Sequence, residues 1–273
     1  MVKCKADRKL YCLKVIKNTP QDLRKSAEMS NAVKEVKLMQ KLSHPNIVAL
    51  REAMYSSDEC LIFIIMAYCD SGDLEQRIKH AKKTRTHFSE DQVLDWFIQM
   101  VLALSYLHSK HILHRDIKPQ NIFLSKNNSL VKIGDFGLTR MLDSTDSLAE
   151  TLIGTPYYMS PELCSNLPYN TKSDVWALGC VLYQLLSLEL PFPADSFPQL
   201  QRRITRRQPA PLPDLYSAGL RDMVAWMLEK DMARRPTIKD VLSCPLVQSH
   251  MRSFVEKHST LARAPSARGG PSS

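Results

Sequence analysis

The hydrophobic pattern of this chain changes period near Cys69, and that change restricts the folds open to it. Before Cys69 the apolar residues recur in short runs bounded by polar clusters. Lys9–Ile16 alternates with Leu13 and Val15 on one side, and Ile47–Tyr55 and Cys60–Tyr68 are two more such runs, separated by Ser56-Ser57-Asp58-Glu59. Alternation of this kind predicts half-buried strands. One helix is expected among them, over Pro20–Leu42, where Ala32, Val33, Val36 and Met39 recur at three and four. Ser43-His44-Pro45-Asn46 closes it, because proline disfavours helix in the residue before it.

After Asp70-Ser71-Gly72-Asp73, a turn with a helix start, the longer helical period takes over. Ser89-Glu90-Asp91-Gln92 reads as a cap for a helix running to about Ser109. Further helices are expected over Val175–Leu188, Asp195–Arg206, Ala218–Leu228 and Ile238–Cys244, with two brief strands in His111–Phe136 and a long irregular segment in Leu138–Glu162. The chain therefore reads as α+β in two lobes: residues 1–69 small and strand-rich, residues 70–250 large and helical, and residues 251–273 a disordered tail. A cleft between two such lobes is a favoured place for a ligand.

Composition excludes several classes. With 44% hydrophobic residues there is enough apolar surface for a core, so the body of the chain is not intrinsically disordered. The apolar run near Leu61–Tyr68 is far short of the roughly 20 residues a bilayer span needs. The charged N-terminal segment lacks the apolar run of a secretory signal. Seven cysteines, scattered and without a CxxC pair, argue for reduced thiols in a cytoplasmic or nuclear protein rather than a disulfide framework or zinc site. The net charge of +9 would suit a polyanion, but no arginine-aromatic interleaving suggests a nucleic-acid groove, so a solvated basic surface is the reading adopted and no nucleic acid or membrane partner is expected. The basic runs Lys79–Arg85 and Arg202, Arg203, Arg206, Arg207 are read as solvated helix faces.

The chemistry concentrates in His114-Arg115-Asp116-Ile117-Lys118-Pro119-Gln120-Asn121, followed fourteen residues later by Asp135-Phe136-Gly137. Phosphoryl transfer is mostly positioning and charge stabilisation and needs few side chains. One carboxylate, Asp116, would stand beside an attacking hydroxyl. A second, Asp135, would hold a hard divalent cation with the amide oxygen of Asn121, an all-oxygen donor set of the kind magnesium prefers.

These two motifs, in this order and spacing, resemble those of the eukaryotic protein kinases. The resemblance implies a bilobal kinase fold, ATP and Mg2+ (with Mn2+ as a possible substitute), and protein substrates. Tyr11-Cys12-Leu13-Lys14 is similar to the strand bearing the nucleotide lysine, so Lys14 would contact the α and β phosphates and pair with Glu35. Met66 would guard the back of the adenine pocket, Ala67, Tyr68 and Cys69 would form the hinge, and Phe123 would join the nucleotide site. Ser160-Pro161-Glu162 resembles the end of an activation segment, with Glu162 bonding Arg235, and Asp174 of Ser173-Asp174-Val175-Trp176 would anchor the catalytic loop's backbone. Met39, Leu50, His114 and Phe136 match the column of side chains that links the lobes.

Lys118, two residues after Asp116, and Thr155 point to the serine/threonine branch. Thr151 is the regulatory candidate: a phosphate there could pair with Arg115, the alternative being a loop residue without a switch role. The stretches His44-Pro45-Asn46-Ile47-Val48, Tyr68–Leu74, Ile153–Leu163 and Leu167–Cys180 look most like the NIMA-related kinases, which act in mitosis, at centrosomes and in cilia.

One family feature is missing. No glycine precedes Gly72, so the phosphate-covering G-x-G-x-x-G-x-V loop is absent, and the chain is expected to begin in the family's second strand. Two function classes follow: a serine/threonine kinase, and a kinase-fold binding or scaffold module impaired in catalysis by the missing loop.

Overall fold

The computed structural model describes residues 1–17, 40, 42–56, 61–134 and 156–263. The expected helix over Pro20–Leu42, including Glu35 and Met39, lies outside the described residues apart from Gln40 and Leu42.

The N-terminal part is an antiparallel sheet of β1 (Val2–Lys3), β2 (Leu10–Lys17), β3 (Leu50–Ser56) and β4 (Leu61–Ala67), in the order β1-β2-β4-β3. Register puts Cys12 opposite Met66 and Lys14 opposite Ile64, so these four share one face. Ile64 and Ile62 are buried on that face, whereas Val15 and Met54 on the other are exposed. The expected strand from Ile47 starts only at Leu50. Ile47 bridges Ile133 instead, with Val48 N–H donating to the Ile133 carbonyl at 2.9 Å.

The C-terminal part is helical. Its described helices are α1 (Leu74–Thr84), α2 (Glu90–Ser109), α3 (Pro161–Cys164), α4 (Thr171–Ser187), α5 (Phe197–Arg206), α6 (Ala218–Met227), α7 (Ile238–Ser243) and α8 (Pro245–Arg263); the hairpin β5 (Ile122–Ser125) and β6 (Leu130–Ile133) stands among them. The cap expected at Ser89 is present, its hydroxyl accepting from Gln92 N–H. Asp73 caps α1 in the same way, through Gln76 N–H. Helix α4 begins four residues earlier than its apolar pattern does, because Asn170 and Ser173 form a reciprocal capping box ahead of it. No described helix is long and apolar enough to cross a membrane.

Two expectations are corrected. The segment read as irregular through Glu162 closes with the short helix α3. The tail expected to be disordered from residue 251 is helical to Arg263. Helix α8 enters this tail from Pro245, and its first turns have a partner that the sequence does not announce. Val247 is buried, Met251 packs on the core, and His250 Nε2 meets Asp95 Oδ1 of α2 at 2.7 Å. Burial and this polar contact offset the chain entropy that composition alone suggests would win.

Buried polar side chains join the layers. Asn46 donates to Gln99 Oε1 at 2.8 Å and to the Val131 carbonyl at 2.9 Å, and Gln99 in turn accepts from Val131 N–H. Ser71 N–H and Leu124 N–H make reciprocal bonds with the Leu124 and Gly72 carbonyls, at 3.0 and 2.8 Å. The segment after β4 is thereby pinned to the β5–β6 hairpin. Deeper in the C-terminal part, Arg235 Nη1 and Nη2 grip both oxygens of Glu162 at 2.9 Å, and Ser173 donates to the same carboxylate at 2.6 Å. The guanidinium also lies 5.0 Å from the centre of the Trp176 ring. The Glu162–Arg235 pairing expected from sequence is therefore present, and it is fully enclosed.

Burial alone would push the Glu162 carboxyl up, but the Arg235 and Ser173 hydrogen bonds outweigh it and hold the group below the ordinary range. Its contribution to stability is thus complete above about pH 4.5 and drains as pH falls through the lower folded value. Glu162→Gln leaves Arg235 buried without a counter-charge, and a loss of about 3–5 kcal/mol is expected. Urea unfolding of the variant should also show a flatter acid limb between pH 5 and pH 3. A wild-type pH profile in the variant would refute the assignment.

Gly179 of α4 offers a second check. A Cβ there would stand 2.9 Å from Met227 Cβ and 3.1 Å from Leu228 Cδ2, where α6 crosses. Alanine gains roughly 1 kcal/mol of helix propensity. Overpacking a rigid helix crossing costs about 1–3 kcal/mol, so Gly179→Ala should lower Tm, and a raised Tm would show that the crossing yields freely.

Candidate functional site

The loop from Lys110 to Asn121 leaves α2 and returns to β5. Its backbone is not relaxed: His111 and Arg115 take left-handed φ values of 58° and 68°. Such a conformation is costly for a residue with a side chain and persists only where its surroundings impose it.

At Arg115, Asp174 in the first turn of α4 imposes it. The carboxylate is fully buried and accepts from His114 N–H and Arg115 N–H, each at 3.0 Å. His108 Nε2, at 2.8 Å, and the Tyr169 hydroxyl complete its shell. Burial would raise the carboxyl, but the His108 hydrogen bond, the adjoining His114 and His108 rings and the Tyr169 hydroxyl more than compensate, and Asp174 is held below the ordinary carboxylate range. The anchoring role expected of Asp174 is geometrically in place. His108 and Tyr169 were not singled out from sequence. They precede Asp174 by 66 and 5 residues, and no spacing rule links the first of these.

On the loop so held, Asp116 is three-quarters covered and Lys118 comparably so. Asp116 N–H donates to His114 Nδ1 at 3.2 Å, which makes that nitrogen the unprotonated one. Asn121 Nδ2 donates to Asp116 Oδ2 at 2.7 Å and to the Asp116 carbonyl at 2.8 Å, and Lys118 Nζ lies 2.8 Å from the same Oδ2. Both contacts to the carboxylate fall on Oδ2; Oδ1 accepts no hydrogen bond among the described residues. An acceptor oxygen with one charged neighbour, on a loop that cannot relax, suits removal of a proton from a hydroxyl. Since Asn121 commits its NH2 group to Asp116, its Oδ1 is turned elsewhere, and an amide oxygen is a donor that a hard cation accepts.

Gly134 closes the far side. Its N–H donates to the Asn121 carbonyl at 3.0 Å, and a Cβ on it would lie 2.7 Å from Val48 Cγ2 and 3.0 Å from Phe123 Cε2. Phe123, which bridges Asp73 in backbone pairing, therefore abuts the residue just before Asp135. The signal for Gly134 was available, because a glycine directly precedes Asp135-Phe136-Gly137.

Across the chain, Lys14 and Met66 share the buried face of the sheet. Ala67 N–H donates to the Ala49 carbonyl at 2.9 Å, whereas the backbone groups of Tyr68 and Cys69 enter no hydrogen bond among the described residues. Burial pushes the Cys69 thiol up, which makes it a poor nucleophile. Glu35, Asp135, Thr151 and Thr155 lie outside the described residues, as do Met39 and Phe136 of the expected interlobe column.

Residues 1–247 match the family model of the protein kinase domain. The chain is 42% identical over 258 residues to serine/threonine-protein kinase Nek4 of Mus musculus, covering 94% of this chain and 31% of that protein. It is 43% identical over 255 residues to Nek5 of Homo sapiens, covering 93% and 35%. Against Nek3 of Mus musculus the identity is 47% over 209 residues, covering 77% and 40%. The chain thus spans about a third of the length of the curated relatives it matches.

The anchoring geometry predicts a measurable consequence. Asp174→Asn must turn an NH2 group toward two of four donors, and each charge-assisted bond lost costs about 1.5–3 kcal/mol. Amide hydrogen exchange at His114 and Arg115 should accelerate by at least about tenfold, with smaller changes in α2. Unchanged protection at these two amides would mean the loop is held by something else.

Proposed function

Because the chain belongs to the protein kinase family, we propose that it is a Nek-type serine/threonine kinase, transferring the γ-phosphate of ATP to serine and threonine hydroxyls of protein substrates. The observation that carries this reading is the Asp116 carboxylate, with Oδ2 engaged by Asn121 and Lys118 and Oδ1 open among the described residues, on a loop clamped through Asp174. The similarity to Nek kinases over more than nine-tenths of the chain supports it.

Each residue has a role in this reading. Asp116 Oδ1 orients the acceptor hydroxyl and takes its proton as the new O–P bond forms. Lys118, held beside it at 2.8 Å, places positive charge where the transferring phosphoryl group becomes more negative. Asn121 Oδ1 and the Asp135 carboxylate hold Mg2+, and Mn2+ is a candidate substitute. The bound cation supplies charge neutralisation between the phosphate oxygens. Lys14 meets the α and β phosphates, with Glu35 as its partner. The open backbone groups of Tyr68 and Cys69 take the adenine edge, with Met66 behind it and Phe123 beneath. Thr151 is the phosphorylated switch, and Thr155 hydrogen-bonds around Asp116 and Lys118.

The test compares the purified chain with Asp116→Asn, using Mg2+, labelled ATP and a generic basic protein as acceptor. Wild type should incorporate label on serine and threonine, and the variant should be slower by about a hundredfold or more. Equal incorporation, or label on tyrosine, would overturn the reading.

A further inference from the structure

Helix α5 carries a row of arginines that no acidic side chain among the described residues neutralises. Arg202, Arg206 and the capping Arg207 are exposed, and none of their guanidinium groups makes an ion pair or hydrogen bond among the described residues. Arg203, partly covered, donates to the Pro193 carbonyl. Cations elsewhere on the same surface do find acids: Lys79 meets Glu75, Lys82 meets Glu189, and Arg221 meets Asp214. Two lysines of α1 are thus charge-paired, whereas Arg202, Arg206 and Arg207 have no acidic partner among the described residues. Arg202 and Arg206, and likewise Arg203 and Arg207, stand four apart, an arrangement that repels along a helix. The helix dipole favours cations in the last turn, but Arg202 is not there.

The helix is also a fixed platform. Leu200 and Ile204 are buried beneath it, Lys230 Nζ donates to the Ile204 carbonyl at 2.7 Å, and the Gln201 side chain donates to the Cys164 carbonyl of α3. Tyr157, just before α3, donates to the Ala194 carbonyl at 3.3 Å, two residues ahead of the α5 cap. Helix α5 is therefore tied to residues 157–164, the segment that follows Thr155 in the sequence.

We propose that Arg202, Arg206 and Arg207 form a docking surface for an acidic segment of the protein substrate, separate from the residues around the acceptor hydroxyl. This inference rests on the kinase reading and adds a substrate class to it. An acidic polypeptide is favoured over nucleic acid because no aromatic residue lies within residues 200–208 to stack a base. Remote attraction of this kind strengthens substrate binding and leaves the chemical step alone, so it acts on KM and weakens with salt.

The test uses two peptides with one serine acceptor sequence, a flexible linker and either a run of glutamates or a run of glutamines. At low salt, wild type should show a KM about five- to tenfold lower for the glutamate peptide, with the same kcat, and the advantage should shrink in 0.5 M salt. The triple variant Arg202→Glu/Arg206→Glu/Arg207→Glu should lose the preference and keep its kcat on the glutamine peptide. The triple glutamine variant should behave likewise, which guards against a folding defect in the charge-reversed chain. Fluorescence anisotropy of a labelled glutamate peptide lacking the serine reads docking without turnover, so a failed kinase assay and a failed dock are distinguishable. Retention of the preference by both variants, or equal binding of an oligonucleotide of matched charge, would overturn the proposal.

Discussion

The Asp174 carboxylate organises the centre of this protein. It is enclosed in α4, and a buried anion survives only with its oxygens occupied by donors. Two of those donors are the N–H groups of His114 and Arg115, and a third is the His108 ring at the end of α2. One desolvated charge thereby fixes the loop carrying Asp116 relative to the most buried helix in the molecule. The left-handed turn at Arg115 is sustained by this interaction rather than by local preference. The positions of Lys118 and Asn121 around Asp116 follow from it.

Glu162 and Arg235 do the equivalent work on the side of the activation-segment end. Their bidentate pair, joined by Ser173 and covered by Trp176, ties α3 to α4 and to the loop before α7. The two clusters share α4: Ser173 belongs to one and Asp174 to the other. Residues adjacent in sequence thus couple the Asp116 loop to the segment on which α5 is bolted. A buried charge is expensive to isolate, so each cluster resists small displacements.

Much of this was legible from order and spacing. The strand-to-helix change near Cys69, the caps at Asp73 and Ser89, and the paired motifs at His114–Asn121 and Asp135–Gly137 are local patterns, because helix periodicity, side-chain capping and oxygen-donor chemistry act over a few residues. The resemblance to protein kinases supplied pairings that spacing cannot, such as Glu162 with Arg235. What escaped notice depended on distant partners. The helix through Arg263 needs Asp95 and the core beneath Val247, and neither is visible in a segment whose composition favours disorder. The place of Gly134 before Asp135 is visible in the sequence, but the packing of Val48 and Phe123 that demands a glycine there is not.

The sequence by itself determined the class of elements, the two-part division and the identity of the chemical groups, since these follow from periodicity and from the few side chains that phosphoryl transfer can use. Only the tertiary structure decided that His108 and Tyr169 help to hold Asp174 and, among the described residues, that Asp116 Oδ1 is open and that Arg202, Arg206 and Arg207 lack the acidic partners that Lys79 and Lys82 have. Those outcomes are set by contacts between residues as many as 107 positions apart, such as Lys82 with Glu189. Packing geometry alone brings such groups within hydrogen-bond reach or keeps them apart.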